Sequence, residues 1–168
     1  KLPERWLAWQ AKRLKHQDDT ALNPLKTQLT PGQVIDNPVE LLTYNVDGGL
    51  DRGAPVGVVF PYGTEDVQKI VGWAGRRSLP VIARGSGTGL AGGAVALREG
   101  LLLQFSHMKE LLDLDTVGRT AVGQPGIINL TLDEIAKGEG LSFPPDPASG
   151  RAATVGGNIA ANAGGPHC

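Results

Sequence analysis

The sequence predicts a mixed fold of helices and strands that opens on a parallel β-α-β unit, and three observations carry that expectation. Apolar runs at residues 56–60 and 80–83 are bounded by proline or glycine, as short buried strands are. Between them Val67, Ile70, Val71 and Ala74 recur at i, i+3, i+4, i+7, the period of one amphipathic helix. Further strand-like runs follow at 101–105, 111–115 and 119–123, the last two joined by Thr-Val-Gly in a tight turn.

Taken in order, residues 3–17 set Trp6, Leu7, Trp9 and Leu14 among Arg5, Lys12, Arg13, Lys15 and His16, the spacing of a helix with a basic face. Packing of the two tryptophans on the domain is the plain reading; a calmodulin-like or membrane-surface helix is the alternative. Residues 23–54 are rich in Pro, Asp, Asn and Gly and read as an arm, with a helical hint at 38–44. Thr64 is placed to cap the following helix, with Glu65 and Asp66 in its first turn and Arg76 and Arg77 at its end. The second strand then has to run parallel to the first through a right-handed crossover.

That strand empties into Arg-Gly-Ser-Gly-Thr-Gly-Leu-Ala-Gly-Gly at 84–93. Gly85, Gly87 and Gly89 free the main chain to adopt φ > 0 and turn its N–H groups inward as an anion nest, Ser86 and Thr88 add hydroxyls, and Arg84 adds a positive charge. Taken alone, such a loop is equally a glycine-rich surface turn. A second glycine-dense segment at 153–165, Ala-Thr-Val-Gly-Gly-Asn-Ile-Ala-Ala-Asn-Ala-Gly-Gly, makes two cradles, which suits a long dinucleotide. Between the two, Pro125-Gly126 breaks a strand, Thr131 with Glu134 fits a capping box, and Phe-Pro-Pro-Asp-Pro-Ala-Ser at 143–149 forms a stiff loop presenting Asp146 and Ser149.

Bulk properties narrow the function classes. With 24 glycines and 12 prolines in 168 residues, the chain is built for turns and close backbone approach. A net charge of −1 gives no electrostatic footprint for nucleic acid or an anionic membrane. The one cysteine, Cys168, allows no internal disulfide, and neither a membrane-length apolar run nor a signal-peptide core is present, so a cytoplasmic protein is expected. A chain that stops at Gly-Gly-Pro-His-Cys reads as a truncated piece of something longer.

Other motifs fail on context. Gly87, Gly89 and Gly92 satisfy G-x-G-x-x-G, but they follow a second strand and open no long helix, so a nicotinamide-type Rossmann fold is disfavoured. No phosphate-loop lysine motif, nucleophile elbow or metal-ligand spacing occurs; His16, His107 and His167 are scattered, and no metal site is expected. Asp146, between Pro145 and Pro147, is as well suited to fixing its loop by accepting main-chain N–H bonds as to general-base work.

Taken together, the segments at 83–93, 143–149 and 154–165 resemble the FAD-binding domain of the vanillyl-alcohol oxidase (PCMH) type, in the branch holding the FAD subunit of glycolate oxidase and the D-lactate dehydrogenases. The resemblance runs over residues 55–168 and implies an α+β fold of two subdomains clasping FAD. The first would be built on the β-α-β unit, the second, incomplete here, on the antiparallel strands; residues 1–54 would be the helix and arm. Carried over, Arg84, Gly85, Ser86, Gly87, Thr88, Gly89 and Leu90 would cradle the pyrophosphate, and Pro125 and Gly126 would line the cofactor channel. Asp146 and Ser149 would sit on the flavin side, and Thr154, Gly156, Gly157 and Asn158 would contact the ribityl and phosphate parts. The implied chemistry is hydride transfer from a 2-hydroxy acid to the flavin, giving the 2-oxo acid, with electrons passed on to a further subunit. A cap domain supplies the substrate-binding arginine and histidines in that family, so the resemblance assigns no catalytic residue here. Two alternatives stay open: a non-catalytic remnant that binds a nucleotide or a partner subunit, and a same-fold flavin reductase of another substrate class.

Overall fold

The computed structural model describes residues 21–167, so the amphipathic helix expected at 3–17 lies outside the described residues. Its first part is a four-stranded sheet in the order β1-β2-β4-β3, from β1 (Val34–Ile35), β2 (Gly57–Val59), β3 (Val81–Arg84) and β4 (Leu101–Gln104). β2 and β3 both run parallel to β4, pairing Val58 and Ile82 with Leu102, while β1 adds antiparallel at the β2 edge. The β-α-β unit is therefore present with one difference: its two strands are not neighbours. β4, made only of Leu-Leu-Leu-Gln and buried throughout, takes the place between them, where both faces are covered.

Alternation along these strands divides the core in two. Val59, Leu101 and Leu103 pack on one face with Ile70, Trp73 and Ala74 of α3 (Thr64–Gly75) and with Leu22 and Leu25, the latter on α1 (Asn23–Lys26). Val58 and Leu102 face Leu41 of α2 (Pro38–Leu41), Ala96 and the 3₁₀ turn Leu42–Tyr44. The arm read from the sequence thus supplies an edge strand and core side chains.

The expected cap of α3 moves by one residue. Thr64 is the first helical residue and Gly63 the N-cap, with no side-chain cap bond. Asp66 bonds outward instead: its Oδ2 accepts from the Tyr62 N–H at 3.1 Å and from Nε2 of the fully buried Gln33 at 2.8 Å. Burial pushes the Asp66 carboxyl up, but these two bonds and Lys69, 3.7 Å away, together hold it below the usual carboxylate range. A depressed folded-state pKa gives stability that is present above the unfolded value near pH ~4 and is lost as pH falls through the lower folded value. Asp66→Asn is therefore expected to flatten the acid limb of stability. Urea midpoints measured from pH 5 down to pH 2 would show this, and parallel curves for variant and parent would refute it.

The second part holds a β5–β6 hairpin, Leu111–Asp115 with Thr120–Gly123, paired antiparallel with an irregularity between Leu111 and Asp113. Arg119, expected in the strand, has φ +54 and belongs to the turn, where Asp115 Oδ1 accepts the N–H groups of Val117 and Gly118. α4 (Asn129–Gly138) starts two residues before Thr131, so the expected capping box does not form. Its start is set by Asn129 N–H donating to Ala153 at 2.9 Å and by a bridge between Ile128 and Thr154. α5 (Val155–Ala161) ends on Asn162 in the left-handed region, φ 50. Among the described residues no helix is long and apolar enough to cross a membrane.

Candidate functional site

The glycine loop leaves the carboxyl end of β3, beside the carboxyl end of β4. Gln104, the last residue of β4, reaches across and donates Nε2 to the Gly85 carbonyl at 2.8 Å, while its buried Oε1 has no partner. Arg84 closes β3 with its side chain turned beneath the loop. The residue is 8% exposed, Nη1 donates to the Ala94 carbonyl at 2.9 Å, and the guanidinium lies 5.9 Å from the Tyr44 ring. Burial pulls the Arg84 pKa down, and Asp47 and then Tyr44 oppose that pull. The positive charge expected from Arg84 therefore lies beneath the loop.

Gly87 sits on that guanidinium. Its φ is +69, and a Cβ there would meet Arg84 Nη2 and Cζ, so only glycine fits both the torsion and the space. Beyond it, the main-chain N–H groups of Gly87, Thr88, Gly89, Leu90 and Ala91 donate to no other group among the described residues. Gly89 and Leu90 are exposed, and the Cβ position of Gly89 opens into free space. Five successive donors without a partner among the described residues lie beside a buried cation and are available to phosphate oxygens; of Gly85, Gly87 and Gly89, only Gly87 takes the positive φ expected of all three.

The second glycine segment meets the first. Ser86 Oγ donates to the Ala152 carbonyl, and the α-carbon of Gly85 lies against Thr154 Oγ1 so closely that a Cβ would collide with it. The two segments read separately from the sequence thus border one site. They do not contribute alike, however. The N–H groups of Val155 and Gly156 donate to Ile127 and Pro125, both at 2.9 Å, and Gly157 N–H donates to Thr154 Oγ1 at 3.1 Å. Buried Asn158 donates Nδ2 to Asn129 Oδ1 at 2.8 Å. Of the residues expected to contact the ribityl and phosphate parts, Gly156, Gly157 and Asn158 have these donors engaged within the protein, and Thr154 Oγ1 accepts the Gly157 bond, as the first turn of α5 is tied to the 125–129 strap. Pro125 packs under Gly156, and Gly126 is buried, its Cβ position filled by the carbonyls of Phe105 and Met108.

Asp146 is engaged as well. Its N–H donates to the Gly164 carbonyl at 2.8 Å, Oδ1 accepts from the His167 N–H at 3.1 Å, and Oδ2 pairs with His167 Nδ1. Partial burial pushes the carboxyl up, while His167, by side chain and main chain, brings it below its ordinary value. The loop-fixing role therefore describes Asp146 as it stands. Ser149 closes the turn after it, its carbonyl accepting from Ala152 and Ala153 at 2.8 and 2.7 Å.

One residue went unread. Asn129 receives the Asn158 bond and donates Nδ2 to the Pro145 carbonyl at 2.7 Å, linking α4, α5 and the proline loop. Its only signal in the sequence is its place at i, i+3, i+7 with Leu132 and Ala136, which puts a polar residue on the buried stripe of the helix.

The model of a family described as FAD binding domain matches residues 55–168. The chain is 40% identical over 153 residues to the glycolate oxidase subunit GlcD of Escherichia coli K12, which covers 90% of this chain and 31% of that protein. It is 47% identical over 108 residues to a D-lactate dehydrogenase of Archaeoglobus fulgidus, 64% of this chain and 24% of that one. A solved structure of an alkyldihydroxyacetonephosphate synthase superposes with a TM-score of 0.75 at 25% identity, covering 83% of this chain and 30% of that chain. The chain thus spans between about a quarter and a third of the length of the curated relatives it matches.

Proposed function

The chain belongs to the FAD binding domain family, and from that premise we propose that it is the cofactor-holding part of an oxidoreductase that oxidises a 2-hydroxy acid of the glycolate or D-lactate type. The observation that carries the proposal is the row of five unengaged amides from Gly87 to Ala91, set over the Arg84 guanidinium and bordered by Thr154. In this reading the amides hold the diphosphate and Arg84 lowers the electrostatic cost of its charge from beneath. Thr154 fixes the loop from the other side while capping α5. The Asp146–His167 pair and the Asn129 bridge keep the proline loop and the following segment in one place on the flavin side. Bound FAD supplies the hydride acceptor.

Recognition of the substrate carboxylate and removal of its hydroxyl proton fall, in this proposal, to protein beyond this span, because the matched relatives are about three times as long. Since the Escherichia coli relative is itself a subunit, further electron-accepting subunits belong to the proposal. So does a cytoplasmic location, since Cys168 alone gives no disulfide framework to require an oxidising compartment.

The test is reconstitution. The chain, incubated with FAD and desalted, is expected to keep a flavin spectrum, and excess ADP, which shares the diphosphate, is expected to displace it. A folded chain that retains no flavin at saturating FAD would refute the assignment.

A further inference from the structure

The donor row does not hold its own shape; a segment outside the glycine motif presses it into place. Gly48 and Gly49, in the arm, lie against the carbonyls of the loop. A Cβ on Gly48 would stand 2.8 Å from the Thr88 oxygen and 3.1 Å from the Gly89 oxygen, and one on Gly49 would stand 2.6 Å from the Leu90 oxygen. These three carbonyls therefore point toward the arm. No cis peptide occurs among the described residues, and in a planar trans peptide the C=O of one residue and the N–H of the next point in opposite directions. With the oxygens of Thr88, Gly89 and Leu90 facing the arm, the N–H groups of Gly89, Leu90 and Ala91 are turned away from it, toward the open side.

Asp47 stands at the start of this contact. Its Oδ1 accepts the Gly49 N–H at 2.8 Å, which folds residues 47–49 into the tight turn that meets the loop. Its buried Oδ2 has no hydrogen-bond partner among the described residues, and the carboxylate is the foremost group opposing the effect of burial on Arg84 beneath Gly87. One side chain thus acts on the loop twice: through the turn that orders its carbonyls, and through the buried cation on which Gly87 rests.

We propose that Asp47 is a positioning residue of the anion site, which with Gly48 and Gly49 aims the amides of Gly89, Leu90 and Ala91 at the ligand. This rests on the cofactor reading above and assigns to the arm a part of the site that the glycine motif alone does not contain.

The test uses ADP as the probe and amide NMR on the full chain, with Asp47→Ala and Asp47→Asn. In the parent, ADP is expected to shift the amide resonances of Gly89, Leu90 and Ala91. In Asp47→Ala those shifts are expected to be lost and ADP affinity to fall about tenfold, with buried sheet amides such as Val58 and Leu102 unmoved. Asparagine can still accept the Gly49 bond but carries no charge, so Asp47→Asn is expected to retain the shifts with an intermediate affinity; it also serves if the alanine variant does not fold. Parent-like ADP shifts and affinity in Asp47→Ala would overturn the positioning role while leaving the cofactor reading intact. Absence of loop shifts in the parent would overturn the cofactor reading, and this inference with it.

Discussion

Gly87→Val is expected to abolish FAD binding while leaving the parallel sheet folded. A β-branched residue held at φ +69 costs on the order of 1–3 kcal/mol in backbone strain. Here the strain adds to a steric conflict, because the first atom of the new side chain would occupy the place of the Arg84 guanidinium. Either the guanidinium leaves its bond to Ala94, exposing or stranding a buried charge, or the loop peptide flips and turns an amide away from the ligand. Both outcomes destroy the donor row, and an affinity loss of about a hundredfold or more is the expected result, roughly 2.7 kcal/mol. Flavin fluorescence titration measures it, with far-ultraviolet circular dichroism to verify folding. A folded variant with affinity within about threefold of the parent would sink the loop assignment.

Asn129→Ala is expected to be the most damaging single change in the second part of the structure. Truncation leaves Asn158 Nδ2 without its acceptor and the Pro145 carbonyl without its donor, the first of these on a buried side chain. Stranded polar groups cost about 1–3 kcal/mol each, so a destabilisation of about 2–4 kcal/mol is expected from urea unfolding. The loss has a location as well as a size. Without Asn129 the proline loop keeps its bonds to Gly164 and His167 and the Phe143 N–H bond to Asp133 of α4 but loses its tie at Pro145, so amide exchange is expected to quicken at residues 146–149 before it does in β4. A destabilisation below about 1 kcal/mol would show that the bridge is replaceable by water.

Much of this site could be read from residue order because its chemistry is local. The β3 strand and the glycines that follow it are contiguous, and glycine at a positive-φ position is a one-residue signal. What escaped reading depends on contacts between distant residues. The turning of Arg84 beneath the loop needs Tyr44, Asp47 and Ala94 around it, and no spacing in the sequence reveals them. Engagement of the Gly156 donor follows from Pro125 arriving at α5, which a glycine pair read alone suggests is free, whereas that of Gly157 is the local cap bond to Thr154. Thr64 and Thr131 resembled caps because local hydroxyls favour helix starts, yet the first stands inside a helix capped by Gly63 and the second inside one that begins at Asn129. Tertiary bonds to Ala153 and Thr154 fixed that second boundary.

The placement of β4 between β2 and β3 bears on how the chain acquires its shape during synthesis. Residues 84–93 emerge from the ribosome before the strand that separates β2 from β3, and before Gln104, whose side chain fastens Gly85. A nascent chain ending ahead of residue 101 holds the glycine motif and the arm that lies against it but lacks β4 and Gln104, and strand pairing at this sequence separation is slow to form. Competence to capture a nucleotide is therefore a late event in maturation, and added cofactor is expected to accelerate nothing before the sheet has closed.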